Sequence, residues 1–338
     1  MAIEESIEDL RRILIDEKAA LAKRFRALFS LKHTAAQVPP TEQTVPAIEA
    51  IAAAFGSPSA LLKHELAYCL GQSGKLEAVP YLRDVLEDRQ EDAMCRHEAA
   101  EALGALNDKD SLGLLKERRD DAHEEEVVRE TCDIAVERIE WEHSEARALE
   151  KLKQRCGHPL ASHCITADFL RSDFSSIDPA PPLAALAKQP SIPDLEYTLL
   201  DTTLPLFQRY RAMFALRDLA SPPDLPTANE AVISLARGFT DPSALFRHEI
   251  AFVFGQLSHP ASIPSLIETL SDQKEASMVR HEAAEALGSL GDEDGVEDVL
   301  KRFLNDPEQV VRDSIIVALD MAEFEKTGAR EYATIAVA

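Results

Sequence analysis

Four His-Glu dipeptides occupy matching positions in a repeated pattern, and imidazole and carboxylate groups are common metal ligands. The four are His64-Glu65, His97-Glu98, His248-Glu249 and His281-Glu282. Chance explains about two such dipeptides, given ten histidines and 60 acidic residues in a chain of 338. Two neutral imidazoles with one carboxylate form the facial set that leaves positions open on non-haem Fe(II). The dipeptides therefore predict a metal centre.

A fifth dipeptide, His123-Glu124, lies in an acidic stretch and has no counterpart elsewhere, so it serves as the chance control. One such dipeptide on a solvent-facing helix is ordinary surface charge. Four in register, with apolar neighbours such as Leu62 and Ile250, favour a buried site. A ladder of stacked His–Glu hydrogen bonds is the structural alternative.

Helical hairpins of about 33 residues must position these dipeptides, because the pattern repeats at that interval. SALLKHELAYCLGQ at 59–72 is followed by MCRHEAAEALGAL at 94–106. An apolar helix opened by a proline, near Pro46 and Pro80, precedes each segment. Each unit is therefore a predicted helix–turn–helix whose apolar face is buried by its neighbours.

The whole pattern returns in the second half of the chain. SALFRHEIAFVFGQ at 243–256 and MVRHEAAEALGSL at 278–290 both lie about 184 residues further along. Looser matches join 24–31 with 209–216 and 127–131 with 310–314. We therefore predict an all-α protein, an α-solenoid of about eight HEAT-like helical hairpins in two duplicated halves.

The repeats also predict the domain organisation. The proline-rich stretch between the halves has little helical period and is therefore interpreted as a linker. The predicted parts are an N-terminal HEAT-repeat half over 1–141, a linker over 142–194, a C-terminal HEAT-repeat half over 195–326 and a tail over 327–338.

Composition restricts the partners and the compartment. The net charge of -24 argues against nucleic acid and anionic membranes and favours a cationic partner or substrate. No apolar run reaches the roughly 18 residues of a membrane helix, and the acidic N-terminus is unlike a signal peptide. The five cysteines form no disulfide framework, which predicts a reducing cytoplasm.

Stacked second helices lie about 8–10 Å apart, so equivalent side chains of neighbouring units can meet between them. His64 and His97 could converge on one ion, and His248 and His281 on another. If the halves face each other, the two ions do so as well. Spacing alone leaves open which acid joins each set. The acids are Glu65 or Glu98 in the first half and Glu249 or Glu282 in the second. Thiolate ligands are disfavoured, because valines replace Cys69 and Cys95 in the second half.

The repeated RHEAAEALG, together with KHELAYCLGQ and RHEIAFVFGQ, resembles the deoxyhypusine hydroxylase family of HEAT-repeat di-iron monooxygenases. The resemblance covers the chain apart from the linker and the tail. It implies O2-dependent hydroxylation of the deoxyhypusine side chain of translation initiation factor 5A to hypusine. It also implies two Fe(II) ions and an electron donor that the sequence does not identify.

The resemblance assigns the metal ligands by motif. One ion is expected on His64, His97 and Glu98, and the other on His248, His281 and Glu282. Glu65 and Glu249 then bind substrate or support the ligands. The acidic charge agrees with this, since deoxyhypusine is a cationic polyamine whose ammonium groups carboxylates would hold.

Three other functions are compatible with parts of the sequence. A non-catalytic HEAT scaffold for a basic partner explains the fold and charge but leaves the four dipeptides without a cause. A dinuclear hydrolase could use zinc or manganese on the same ligands, because affinity order alone does not fix the metal. A protein like the HEAT-repeat phycobilin lyases is a weaker alternative, because similar AAEALG helices occur there without paired His-Glu.

Overall fold

The computed structural model describes residues 6–156, 174, 176–183 and 190–326. Within these ranges the regular structure is helical and contains no strand. No helix of this described part combines the length and the apolar character needed to cross a membrane. The predicted tail, 327–338, lies outside the described residues.

Eight helices form the first half of the described chain. They are α1 (Ile7–Ile15), α2 (Leu21–Ala35), α3 (Thr44–Ala52), α4 (Ala60–Gln72), α5 (Val79–Glu87), α6 (Ala93–Ala105), α7 (Leu112–Asp120) and α8 (Glu126–Glu142). A further helix, α9 (Glu145–Cys156), follows them.

The second half has eight matching helices. They are α10 (Ile192–Leu200), α11 (Leu206–Leu219), α12 (Ala228–Ala236), α13 (Ala244–Leu257), α14 (Ile263–Ser271), α15 (Ser277–Gly288), α16 (Val296–Lys301) and α17 (Gln309–Lys326). Consecutive helices of each half pair as hairpins, so the predicted helical solenoid in two duplicated halves is confirmed.

Equivalent residues begin equivalent helices in the two halves. The Ser59 hydroxyl accepts the Leu62 N–H at 3.2 Å, and the Ser243 hydroxyl accepts the Phe246 N–H at 3.1 Å. These N-caps satisfy backbone donors that a helix start leaves free. The outer helices α5 and α14 both have a proline in the first turn, where its missing N–H is harmless.

The inner helices α4, α6, α8 and α13, α15, α17 approach one another closely through small residues. A Cβ placed on Gly104 would lie 2.9 Å from the Ala135 Cβ, and one on Gly288 would lie 2.9 Å from the Ala318 Cβ. Real Cβ atoms essentially never come this close. These glycines are therefore required by helix contact.

The two halves face each other and touch at both ends. Helix α17 packs on α2 and α4, and α8 packs on α11 and α13. Equivalent hydrogen bonds occur at both ends. Ser59 Oγ donates to Asp313 at 3.2 Å, and its counterpart Ser243 Oγ donates to Glu130 at 2.7 Å. The molecule therefore has approximate two-fold symmetry, with the inner helices of both halves around the centre.

The predicted linker differs from a simple connection. It includes α9, and α10 begins at Ile192, three residues before the predicted boundary. Residues 157–173, 175 and 184–189 of this prediction lie outside the described residues. Part of the remainder packs on α11, where Arg211 donates to the Pro181 carbonyl at 3.1 Å and Ala180 is fully buried. Sequence periodicity reflects local structure and does not predict contacts between residues that are distant in the sequence.

Candidate metal centre

The four inner helices α4, α6, α13 and α15 bring four histidines together in the interior. The ring centroids of His64 and His97 are 5.3 Å apart, and those of His248 and His281 are 5.4 Å apart. Across the halves, the His64 and His248 rings are 5.8 Å apart. All four side chains are buried. The cluster therefore contains two residues from each half.

Register within each helix explains this convergence. Each histidine is the fifth residue of its helix, so its side chain leaves the axis at the same angle after the same start. Side-chain caps fix three of these starts, at Ser59, Asp92 and Ser243. Because the halves face each other, the four equivalent side chains point to one place.

The donor atoms form two overlapping groups, each spanning no more than 4.8 Å. One group consists of His248, His281 and Glu282, which are the ligands predicted for the ion of the second half. The other group contains His64 and His97 with His248 in the place of the predicted Glu98.

Carboxylates surround the histidines. His64 lies between two of them, with Nδ1 at 3.3 Å from Glu65 and Nε2 at 3.3 Å from Glu98. In the other half, His248 Nε2 is 3.4 Å from Glu282. Glu249 is buried, and its Oε1 atom has no hydrogen-bond partner. All eight residues of the four dipeptides are thus in or beside one cluster.

Burial and crowding shift the protonation of this cluster. Burial lowers the pKa of His97 and His281, and repulsion between neighbouring imidazoles lowers it further. Burial also acts to lower the pKa of His64, but the bonds to Glu65 and Glu98 outweigh it and raise the pKa. The pKa of Glu249 is raised by burial and by nearby carboxylates. A bound divalent cation would reduce the repulsion between the carboxylates, and it would give the buried neutral imidazoles a partner.

Several buried atoms of the cluster fit a metal ion. Both ring nitrogens of His97, His248 and His281 lack a hydrogen-bond partner. Buried polar atoms without partners cost free energy, and native proteins satisfy nearly all of them. Imidazole nitrogens and carboxylate oxygens suit divalent iron, and they also suit zinc and manganese. The residues present therefore fit a metal centre.

Sequence reasoning did not select Glu101 and Glu285. Both line a cavity of about 190 Å³ beside His64 and His248. Glu285 accepts a hydrogen bond from Ser314 at 2.9 Å. The signal that could have found them is the second acid of HEAAE, which stands three residues after Glu98 and Glu282.

The fifth His-Glu dipeptide and the two cysteines Cys69 and Cys95 have other surroundings. His123 is exposed, and Glu124 forms a buried ion pair with Arg96. Cys69 and Cys95 are buried, which raises the pKa of both thiols. Neither cysteine belongs to a donor group within the described residues.

Comparisons with known proteins agree on one family. A family model for HEAT repeats matches residues 48–137 and 229–320. A deoxyhypusine hydroxylase of Phaeosphaeria nodorum is 71% identical over 338 residues, covering 99% of this chain and 98% of the relative. One of Coccidioides immitis is 72% identical over 328 residues, covering 97% and 93%. The solved structure of human deoxyhypusine hydroxylase in complex with glycerol has 42% identity and a TM-score of 0.77, covering 95% of this chain and 97% of that one.

Proposed function

The chain belongs to the deoxyhypusine hydroxylase family, and from this we propose that it hydroxylates the deoxyhypusine side chain of a protein substrate. The predicted family is confirmed by the relatives. We further propose translation initiation factor 5A as the substrate protein. The observation that supports the function is the buried cluster of four histidines, two from each half, with carboxylates beside it.

We propose that two iron ions bind in this cluster. His64, His97 and Glu98 would hold one ion, and His248, His281 and Glu282 the other. The ring nitrogens without partners support this assignment, as does the group of His248, His281 and Glu282 within 4.8 Å. When bound, ferrous iron supplies the electrons and the open coordination positions for O2-dependent C–H hydroxylation.

The chain's own residues would bind and orient the substrate arm. Glu65 and Glu249 are buried beside the histidines, and their carboxylates would hold the ammonium groups of the polyamine. The aromatic rings of Tyr68 and Phe252 stand edge to face, 5.8 Å apart, on the cavity wall. They would exclude water and contact the methylene groups between the charges. Positioning one methylene against the centre is the task of this cavity.

Metal analysis combined with a turnover assay tests the proposal. The anaerobically purified chain should contain about two iron ions, and it should transfer one labelled oxygen from O2 to deoxyhypusine. A chain without stoichiometric metal would indicate a scaffold. Stoichiometric zinc or manganese with no O2 consumption would indicate a hydrolase. Either result would overturn the proposed function.

A further inference from the structure

A short segment between the halves, Ser176–Asp178, ties together the C-terminal ends of α4 and α13. Gln72 accepts the Ile177 N–H at 2.8 Å and donates to the Ile177 carbonyl at 3.1 Å. Its counterpart in the second half, Gln256, donates to Ser176 Oγ at 3.0 Å. The same segment therefore contacts equivalent residues of both halves.

The segment also buries a cation at the end of α11. Arg217 is fully buried and donates to both carboxylate oxygens of Asp178 at 2.8 Å. It donates to Gln256 as well, and its guanidinium lies 4.3 Å from the centre of the Phe174 ring. A bidentate ion pair shielded in this way holds the segment firmly against the second half.

The equivalent place in the other half is not covered by this segment. The two-fold relation makes Lys32 the counterpart of Arg217 and Met321 the counterpart of Arg138. Lys32 and Met321 are only partly buried, and both line the cavity that reaches His64. The Lys32 ammonium lies 4.7 Å from the centre of the Tyr68 ring.

Electrostatics separates the two sides further. On the segment's side, burial lowers the pKa of the Arg138 guanidinium, while the Asp178 carboxylate acts to raise it. The segment's side thus has two guanidinium groups, those of Arg138 and Arg217. The equivalent positions on the other side hold the ammonium of Lys32 and the thioether of Met321. The cavity itself is lined by six carboxylates. They are Glu65, Glu98, Glu101, Glu249, Glu282 and Glu285.

We infer that Ser176–Asp178 closes one of two equivalent approaches to the four-histidine cluster, and that the substrate arm passes through the other. Within the part of the chain that the structure describes, this second approach is open and is lined by Phe29, Lys32 and Met321. Its occupant is a flexible aliphatic chain with positive charge, since Phe29 and Met321 provide apolar contact and six carboxylates line the cavity beyond them, while the Lys32 ammonium lies against the Tyr68 ring. This inference rests on the proposed function, because it concerns how that substrate reaches the centre.

Two charge variants of the full chain test the inference. Met321→Lys adds a cation to the open approach, and Ile177→Lys adds the same charge to the segment. The backbone of Ile177, not its side chain, bonds to Gln72, so the control variant keeps these contacts. We expect Met321→Lys to raise the KM for the deoxyhypusine protein about tenfold or more, because like charges repel within the cavity. Ile177→Lys should change the KM less than about threefold, since its charge lies off the path.

Iron content and circular dichroism are measured on both variants, so a loss of fold or of metal is recognised. Met321→Trp, which narrows the same approach without charge, provides a second route to the answer and should also raise the KM. Equal effects of the two lysine variants, or no effect at Met321, would overturn the inference. Failure of the proposed function would be recognised separately, because the unaltered chain would then show no hydroxylation.

Discussion

At the residue scale, the two acids beside His64 differ in the nitrogen they approach. Glu65 is closest to Nδ1 and Glu98 to Nε2, both at 3.3 Å. We expect Glu98→Gln to remove roughly one of the two iron ions per chain, because a neutral amide is a poor replacement for a carboxylate ligand. Glu65→Gln should keep most of the iron but raise the substrate KM about tenfold, through loss of a charged hydrogen bond.

Metal analysis and steady-state kinetics on the same preparations check this division. His123→Ala is the matched control, because His123 belongs to a His-Glu dipeptide but is itself exposed and is a member of neither donor group. It should match the unaltered chain in iron and in turnover. If Glu65→Gln lost as much iron as Glu98→Gln, the proposed roles of the two acids would be wrong.

The residues of the site were predictable because they repeat. Equivalent helix positions must point the same way in a stacked array, so four register-matched dipeptides could be selected from the sequence. Glu101 and Glu285 also occupy equivalent positions of the repeat, but neither stands next to a histidine in the sequence. Their place on the cavity wall depends on how the halves face each other. The presence of His248 in a group with His64 and His97 depends on the same docking.

At the element scale, Gly104 and Gly113 differ in how much space surrounds them, so their alanine variants should have opposite effects on stability. A Cβ on Gly104 would meet Ala135 at 2.9 Å, whereas a Cβ on Gly113 would have open space. Gly104→Ala should destabilise the fold by about 1–3 kcal/mol, because α6 and α8 must separate. Gly113→Ala should stabilise it by up to about 1 kcal/mol, because position 113 is an exposed position of helix α7 and alanine has the higher helix propensity.

Denaturant unfolding followed by circular dichroism measures both changes. A Gly104→Ala protein as stable as the unaltered chain would show that the helices can shift apart at little cost. The Gly113→Ala protein verifies that the assay resolves effects of either sign.

Helix pairs were predictable to within a few residues, since apolar period and capping residues define them locally. The packing of residues 176–183 was not predictable. Its contacts join Ile177 to Gln72 and Asp178 to Arg217, which are distant in sequence and follow no period. A proline-rich stretch is typical of a linker, and only the folded halves create the surface that orders this part.

At the scale of the whole molecule, duplication provides two halves, and the centre lies where they meet. Each half contributes two histidines, and the halves also join through Arg26 and Asp320 at 2.8 Å. A metal ion that binds these side chains only in the folded chain stabilises the fold by mass action. Each proposed ion takes its ligands from one half, so the ions would stabilise the folded chain as a whole in addition to their chemical role.

Removal of the metal should lower the melting temperature. For one ion, an excess of a hundredfold over the dissociation constant contributes about 2.7 kcal/mol, which corresponds to a fall of roughly 4 °C for a chain of 338 residues. The reason is that the buried imidazoles of His97 and His281 then lose their partner. Calorimetry before and after chelation measures the change, and chelator added to stripped protein is the control. An unchanged melting temperature, with metal loss verified by elemental analysis, would show that the metal does not contribute to the stability of the fold.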